Sequence, residues 1–352
     1  MFAAVAPSVS RPHHTRTAFG ARVCAVLMAC AGTASLRCAA EEPAAVPAKP
    51  LVFTQTADAS ACEWLGNNLI VVGSDEDNIL RVYRLPQCGA PVAEWDASPL
   101  MALNRKSPEM DIEGSAKIGD TLYWITSHAP NKEGKPRPNR KRLFAARVAV
   151  TNGIPAFQLV GRPVTTLVAD LDRDPRYAAF GLAAASLRPP KTPGSLNIEA
   201  LCDTPEGGLL IGFRSPNPGG KALLAPLLNP ADAVQGQAPR FGDPILPDFG
   251  GNGFRSLFRR GPDYYAMSGS ALSGGEFRLY RWDGHGKPQR LPLPGLPADA
   301  SPEGLTTVVW NGREMLLAIS DDGTRLVDGQ PAKTLADPAR RTFRGFLFPL
   351  PK

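Results

Sequence analysis

A hairpin pattern that returns about every fifty residues limits this chain to a repeated antiparallel architecture. Each copy has a polar or Glu-Gly start, an alternating strand, a tight turn, and a second strand that ends in Ser, Arg or Asp. The clearest copy runs from Asp111 to His128, with its turn at Gly119 and Asp120. Turns of this kind between alternating strands are the strongest local signal for a β-hairpin. The copies start near residues 61, 113, 199, 255 and 303.

Further strands follow most of the hairpins, which brings each repeat to four strands, the plan of a propeller blade. Third strands are expected at Ile79–Leu85, Arg142–Val150, Lys221–Leu228 and Glu276–Trp282, and fourth strands at Pro91–Trp95 and Gln289–Leu293. The segments Leu51–Gln55 and Phe343–Pro349 are also strand-like, so we expect the chain ends to share the last blade and close the ring. The Ala-rich segment 167–187 predicts a short helical insertion.

The sequence therefore predicts an all-β fold, a β-propeller of five four-stranded blades over residues 51–352, with six blades as an alternative. An open β-sandwich with coincidental repeats is the other interpretation of the same strands. The 36 Pro and 34 Gly show no collagen period, which is consistent with many short elements separated by turns.

Residues 1–40 have the pattern of a secretory signal peptide, followed by a linker at 41–50. Arg11, Arg16 and Arg22 precede an apolar run, 23–36, and small residues follow at 38–40. The run is too short and too rich in Gly and Ala to suit a transmembrane segment. We therefore expect a periplasmic or secreted protein. A lipoprotein anchored through Cys30 is the weaker alternative.

The signal segment also accounts for most of the basic character of the chain. It contains four arginines and no acidic residue, whereas the net charge of the whole chain is +6. Nucleic acid is therefore not an expected partner.

Few cysteine and histidine residues remain after this segment. Cys62 and Cys88 would be able to form a disulfide within one repeat, and Cys202 is expected to be a buried thiol. The two remaining histidines, His128 and His285, are too few for a histidine-based zinc or iron centre.

Counting outward from the turns places the distinctive residues at the open ends of the hairpins. With Gly119 and Asp120 as the turn, Ile118 opposes Thr121 and Glu113 opposes Thr126. The same counting gives the neighbours Glu199 with Arg214, Arg255 with Gly269, and Glu303 with Ser320 and Asp321. Because the first strand of each blade lines the axial channel, these residues should meet at one mouth of that channel.

Three glutamates at one mouth would repel one another, so they need a compensating charge. Glu113, Glu199 and Glu303 would provide ligands for a hard cation such as Ca²⁺, which accepts carboxylate oxygen. Alternatively, each would pair with an arginine and tie the blades together, with Arg140, Arg214 and Arg255 as candidates. The sequence leaves both interpretations open.

His128 is a candidate general acid or base, with a purely structural hydrogen-bonding role as the alternative. The basic stretch Lys132–Arg142 reads either as a solvated loop or as an attractor for an anionic ligand. A Gly-x-Ser-x-Gly elbow does not occur, which argues against an ordinary serine hydrolase. The predicted site comprises catalytic His128, Glu113 and Arg255, ligand-binding Ser127, Arg140, Arg214 and Asp321, and metal-ligating Glu113, Glu199 and Glu303.

The same motifs resemble the bacterial family of the domain of unknown function 3616. The resemblance covers nearly the whole mature chain. One departure is Ala200, where a Gly would complete a second Glu-Gly pair. The matching segments are Asp111–Gly114, Tyr123–His128 with Arg140 downstream, Leu196–Glu199, Ile211–Pro216, Phe254–Ser256, Pro302–Gly304 and Ser320–Gly323. The resemblance implies a propeller similar to phytase-like and gluconolactonase-like proteins and carries no established activity.

These patterns favour a monomeric, exported propeller enzyme that hydrolyses an anionic phosphate or carboxylate ester with the help of Ca²⁺. The alternative is a non-catalytic propeller whose same face binds a ligand or a partner in the cell envelope.

Overall fold

A computed structural model describes residues 49–350 of the chain, and within them the fold is a five-bladed β-propeller. The described residues form four four-stranded antiparallel sheets, one three-stranded sheet and a separate two-stranded hairpin. The predicted signal peptide, the lipid anchor at Cys30 and the linker up to residue 48 lie outside the described residues. The prediction of five blades is confirmed.

The first strand, β1 (Leu51–Thr54), belongs to the last blade. Blade 1 contains β2 (Ala59–Gly66), β3 (Leu69–Ser74), β4 (Ile79–Arg84) and β5 (Ala93–Asp96). Blade 2 contains β6 (Ile112–Ile118), β7 (Thr121–Thr126), β8 (Leu143–Thr151) and β9 (Ile154–Val164). Blade 3 contains β10 (Asn197–Asp203), β11 (Leu209–Ser215) and β12 (Leu223–Leu227). Blade 4 contains β13 (Gly253–Arg260), β14 (Asp263–Gly269), β15 (Arg278–Trp282) and β16 (Gln289–Leu291).

Blade 5 is built from both ends of the described chain. It contains β17 (Pro302–Trp310), β18 (Arg313–Ser320), β21 (Thr342–Pro349) and β1, while β19 (Leu326–Val327) and β20 (Gln330–Pro331) form the hairpin between β18 and β21. Phe53 of β1 pairs with Phe343 of β21, and their rings stack with centroids 4.8 Å apart. The predicted sharing of the last blade is confirmed. This pairing closes the ring because the outermost strand and the other three come from opposite ends of the fold.

The inner strands β2, β6, β10, β13 and β17 each contact the next, and β17 contacts β2. Adjacent blades pack their apolar faces together, so the core lies between blades. Between blades 1 and 2, for example, the fully buried Trp124 packs in a cluster with Ile112 and Leu69. This packing holds the five inner strands at fixed positions around the axis.

Three short α-helices occur in the described part of the chain: α1 (Leu167–Arg173), α2 (Leu182–Ala185) and α3 (Pro230–Val234). The first two form the predicted insertion between blades 2 and 3, and Leu167, Leu171 and Leu182 are fully buried there. None of the helices within residues 49–350 has the length and apolar character needed to cross a membrane.

The three cysteines in the described region are unbonded, so the disulfide considered for Cys62 and Cys88 is not formed. Cys62 lies on the inner strand of blade 1 and faces blade 5, where its Sγ atom would be 3.2 Å from a Cβ atom at Gly304. Cys88 follows the third strand of its blade, away from the axis. Cys202 is buried, as expected, and burial raises the pKa of its thiol.

Candidate functional site

Each of the five inner strands carries a β-bulge at the same place, near its start. In blade 2, Ile112 pairs with Thr126 and Gly114 with Ile125, so that Glu113 has no partner in the ladder. The residues skipped in this way are Ser60, Glu113, Glu199, Arg255 and Glu303. A bulge turns its extra residue out of the regular alternation and re-aims the side chain. The predicted pairing of Glu113 with Thr126 is therefore wrong by one residue. Thr126 pairs with Ile112, and Glu113 is the extra residue whose side chain leaves the regular alternation.

The glycine after two of the bulged glutamates lets neighbouring blades approach closely. A Cβ atom at Gly114 would lie 2.8 Å from the backbone nitrogen of Leu201 on the inner strand of blade 3. Real Cβ atoms do not tolerate such a contact, so this position requires glycine. The Glu-Gly motif thus combines a re-aimed acid with a close contact between blades.

A polar cavity of about 610 Å³ lies where the bulged residues converge. The predicted residues that line it are Glu113, Glu199, Glu303, Arg140, Arg214, Arg255 and Asp321. Other lining residues, which were not among the predicted site residues, include Asp75, Glu109, Asp111, Asn197 and Lys333. The predicted convergence of three glutamates from separate blades on one mouth is confirmed.

An ion-pair network occupies the half of the mouth formed by blades 3, 4 and 5. Arg255 Nη1 lies 2.6 Å from Glu199 Oε2, and its Nη2 atom contacts Glu303 Oε1. Arg214 Nη1 lies 3.0 Å from the other carboxylate oxygen of Glu199. Asn197 Nδ2 donates a further hydrogen bond of 2.6 Å to that oxygen. We call these residues the paired half of the mouth.

This network matches the ion-pair alternative for the three glutamates. Because Arg255 bridges Glu199 and Glu303, their carboxylates face a guanidinium group that a bound cation would have to displace. Residues 49–350 contain no group of three or more His, Cys, Asp and Glu side chains arranged to hold a metal ion. The predicted Ca²⁺ ligand set, Glu113 with Glu199 and Glu303, therefore does not fit the geometry of the site.

The half of the mouth formed by blades 1 and 2 carries two carboxyl groups, those of Glu113 and Asp75, that form no ion pair with any described residue. The Glu113 side chain makes no ion pair or hydrogen bond with any residue that the structure describes, although the residue is only 8% exposed. Burial, followed by the charges of Glu199 and Asp111, raises its pKa well above the usual value. Asp75 is similar: burial and the nearby Asp321 raise its pKa. We call these two residues the uncompensated half of the mouth; Asp321, which follows β18 in blade 5, lies near Asp75.

Next to Glu113, Asp111 is held in place from two sides. Arg140 Nη1 lies 2.9 Å from Asp111 Oδ2, and the hydroxyl group of Ser127 donates to the same oxygen. Arg140 also pairs with Glu109, whose pKa is raised to about 7 by burial and by Asp111. Ser127 is 1% exposed, so its role is to position Asp111.

His128 does not reach the cavity lining in this structure. Its backbone φ is 56°, in the left-handed region, and the residue is 1% exposed. Nδ1 donates to the carbonyl oxygen of Thr126 over 2.8 Å, and burial lowers the pKa of the ring to about 4. The imidazole is therefore neutral and structural at neutral pH. This geometry supports the structural alternative rather than the predicted proton-transfer role.

The outer edge of the cavity carries basic side chains from three segments of the chain. Arg137 and Lys191 line it and form no ion pair with residues in the described range. Lys333, from the segment after β20, pairs with Glu76 and lies 4.0 Å from Asp58. Burial and the charge of Asp321 raise the pKa of Asp58 to about 7. Arg137, from the basic stretch Lys132–Arg142, therefore lies at the cavity without an ion-pair partner among the described residues, and the attraction of this stretch for an anion stays a prediction.

Asp75, which was not among the predicted site residues, had a signal in the sequence that it shares with the predicted Asp321. Asp75 and Asp321 both follow the Ser that ends the second strand of their blades, and these serines, Ser74 and Ser320, pair with the starts of β2 and β17. Because both blades share this Ser-Asp ending, the sequence indicates that the two carboxyl groups lie at the same mouth.

No family model matches the sequence, and no curated protein is similar to it. Solved structures with a similar fold include the major allergen Mala s 1 of Malassezia sympodialis, with 8% identity and a TM-score of 0.46 over 86% of this chain and 96% of that chain. The gluconolactonase XC5397 of Xanthomonas campestris has 11% identity and a TM-score of 0.40 over 87% of this chain and 82% of that chain. The Trypanosoma rangeli sialidase has 12% identity and a TM-score of 0.38 over 79% of this chain, which spans 45% of the sialidase chain. At these identities and TM-scores the similarity assigns no role to any residue of the site.

Proposed function

We propose that this chain is an exported hydrolase that cleaves a small anionic ester in the cavity at the channel mouth, with Glu113 as the proton donor. One observation carries the proposal: Glu113 is a buried carboxyl group at a polar cavity, and no described residue forms an ion pair or hydrogen bond with it, so the charge of Arg255 only partly offsets the rise of its pKa. A carboxyl group with a raised pKa keeps its proton at neutral pH and is able to deliver it to a leaving oxygen.

The basic residues at the cavity edge favour an anionic substrate. Arg137 and Lys191 line the same cavity as Glu113 and are not engaged by carboxylates of the described chain. They would hold the charged end of the substrate, which directs its ester bond toward the uncompensated half of the mouth.

A proton acceptor for the attacking water would come from Asp75 and Asp321. Asp321 raises the pKa of Asp75 because two close carboxylates resist ionising together. Such a pair keeps one proton and one negative charge, and its ionised member accepts the proton of the water. The paired half of the mouth, centred on Arg255, would keep these groups in position.

The resemblance to the family of the domain of unknown function 3616 fits this proposal in one respect. The motif residues Glu113, Arg140, Arg214, Arg255 and Asp321 line one cavity. We propose membership in that family on this basis.

A panel of phosphate monoesters, carboxylate esters and lactones, assayed with purified protein, tests the proposal. We expect turnover of at least one anionic member and a fall in kcat of about 10²–10⁴-fold in Glu113→Gln. Glu206→Gln, the same change at an exposed position in the turn between β10 and β11, outside the cavity lining, should retain activity. Equal activity of Glu113→Gln and the unaltered protein would refute the role of Glu113.

A second candidate function is ligand binding without catalysis. It is favoured because the guanidinium groups of Arg214 and Arg255 already pair with carboxylates of the protein. Arg214 Nε donates to the carbonyl oxygen of Ser270 over 2.9 Å, so its guanidinium group is fixed by the fold as well as by Glu199. Thermal-shift binding of an anionic panel member that is never turned over would support this candidate and count against hydrolysis.

A further inference from the structure

Three loops on the mouth face, around blade 2, concentrate the positive charge of the protein. They comprise residues 102–107 between β5 and β6, 129–142 between β7 and β8, and 187–194 before β10. Together they contain ten Lys and Arg residues and one acidic residue, whereas the rest of residues 49–350 contains 24 Lys and Arg and 30 Asp and Glu. The net charge is therefore +9 in these loops and −6 in the rest of the described chain. We call the three segments the basic loops.

Buried polar contacts hold the first two basic loops together. The backbone nitrogen of Asn104 donates to Asn139 Oδ1 over 3.0 Å, and Asn139 Nδ2 donates to the carbonyl oxygen of Asn104 over 3.0 Å. Arg142 is 5% exposed, and its guanidinium group donates to the carbonyl oxygens of Met101 over 3.2 Å and Pro138 over 2.7 Å. The positions of the cations on these two loops are therefore fixed by the fold.

The third basic loop lies against the second. A Cβ atom at Gly134 would be 3.3 Å from the carbonyl oxygen of Leu187. Both loops also reach the cavity at the channel mouth, which Arg137 and Lys191 line. The three loops thus form one positive surface that begins at the cavity edge and extends away from it.

Most cations of this surface have no carboxylate partner. Lys132 lies 3.8 Å from Glu133, and Arg140 pairs with Glu109 and Asp111 at the cavity. The other eight Lys and Arg residues of the basic loops form no ion pair within residues 49–350. The exposed members of the surface are Arg105, Lys106, Lys132, Lys135, Arg188 and Lys191.

We propose that the basic loops bind an acidic polysaccharide, a chain with regularly spaced carboxylate or sulfate groups. Two or three cations satisfy one small anion, so exposed cations from three loops fit a ligand that carries several anionic groups. The negative charge of the remaining described surface would repel such a chain and direct it to the mouth face. This surface lies outside the cavity and would bind its partner whether or not the cavity hydrolyses an ester.

The composition of the basic loops favours a polysaccharide over other polyanions. The loops contain no Trp, Tyr or Phe, the side chains that anchor proteins at membrane interfaces and stack on the bases of single-stranded nucleic acids. Their one exposed large hydrophobic residue is Leu187, which gives little apolar surface to insert into a bilayer. The longest regular element in them is a three-residue 3₁₀ turn, Pro138–Arg140, which is too short to read a groove of duplex DNA.

Calorimetric titration with polygalacturonate, heparin and neutral dextran tests the proposal. We expect binding to at least one of the two acidic polysaccharides and none to dextran. The affinity should fall by about tenfold or more between about 50 and 200 mM NaCl, because salt screens contacts between exposed charges.

Two variants with the same net charge show whether the basic loops are responsible. The loop variant removes four exposed cations that do not line the cavity: Arg105→Gln, Lys106→Gln, Lys135→Gln and Arg188→Gln. The control variant removes four exposed cations elsewhere: Arg162→Gln, Lys221→Gln, Arg240→Gln and Lys287→Gln. We expect the loop variant to lose about tenfold or more in affinity and the control variant to stay within about threefold of the unaltered protein.

Failure of the unaltered protein to bind either acidic polysaccharide would overturn the proposal, as would equal losses in the two variants. Tighter binding to phosphatidylglycerol vesicles or to duplex DNA than to both polysaccharides would also overturn it, because the partner would then be a membrane or a nucleic acid. If the loop variant does not fold, the double variant Lys135→Gln, Arg188→Gln replaces it, and undiminished binding in that variant overturns the proposal.

Discussion

The two halves of the channel mouth use one strand position in opposite ways. In the paired half, the bulged residues Glu199, Arg255 and Glu303 neutralise one another across three blades. In the uncompensated half, the bulged Glu113 faces the cavity without an ion-pair partner among the described residues, and the charge of Arg255 only partly opposes the rise of its pKa. The backbone geometry is the same in each case, since every one of these residues is skipped in its ladder.

The comparison shows that the bulge sets the direction in which the side chain points. The residue types at neighbouring bulges then determine what that side chain does. Where acid and base alternate around the ring, the re-aimed side chains fasten blades together. Where the neighbouring bulges carry no base, as on either side of Glu113 with Ser60 and Glu199, the same position yields a carboxyl group with a raised pKa. Whether a bulged residue ties blades together or serves as a reactive group therefore depends on which residues occupy the adjacent bulges.

The largest expected effect is the loss of stability in Arg255→Met. Removing the guanidinium group leaves Glu199 and Glu303 buried without their shared partner, which should lower the free energy of unfolding by about 3–5 kcal/mol. Urea unfolding measures the change. The triple variant Arg255→Met, Glu199→Gln, Glu303→Gln should recover much of the loss, because no orphaned charge remains. A loss below about 1 kcal/mol in Arg255→Met would show that the paired half is not structural.

Glu113→Gln should raise the free energy of unfolding, where Arg255→Met lowers it. Its pKa in the folded protein is above the ordinary value of 4.5, so the folded state retains a proton that the unfolded state releases. This carboxyl group therefore destabilises the fold progressively as the pH rises above about 4.5, and it costs nothing below that pH. We expect Glu113→Gln to gain about 1–3 kcal/mol at pH 7 and nothing at pH 4, as measured by urea unfolding at both pH values. A destabilised variant at pH 7 would mean that a partner compensates Glu113.

The smallest effect is expected at the cavity edge, in Lys333→Ala. The Lys333 side chain is 38% exposed and that of Glu76 47%, so solvent screens their ion pair. The free energy of unfolding should fall by no more than about 1 kcal/mol, and less at high salt. A loss of stability as large as that expected for Arg255→Met would show that the ion pair at the edge stabilises the fold as strongly as the paired half does.

Much of the fold was predictable because strand alternation and turns are local signals. The blade number, the insertion at 167–187 and the shared last blade follow from them, and the turn at Gly119 and Asp120 fixed the hairpin from Gly114 to Ile125. The bulge at Glu113 was not predictable, because the local sequence pattern contains no signal for an extra residue in one strand. Convergence of the glutamates was nevertheless predicted, because an error of one residue does not move a side chain to the other end of a strand.

The site was predicted less completely because burial and pairing depend on neighbouring blades. His128 stands in a repeat-defining position, but its left-handed backbone goes with a buried ring that does not line the cavity. Whether Glu199 binds a cation or an arginine depends on Arg255, which is 56 residues away in the sequence. Asp75 and Asp111 were visible as strand-end acids, yet only the ring brings them beside Glu113.

The protonation state of Glu113 tests the central claim most directly. Infrared difference spectra of the unaltered protein minus Glu113→Gln, recorded at pH 7, isolate this one carboxyl group. The account predicts the carbonyl-stretch band of a protonated carboxylic acid in the difference spectrum, with its loss only at more alkaline pH. Carboxylate bands alone at pH 7 would show that Glu113 is ionised and would contradict its assignment as the proton donor.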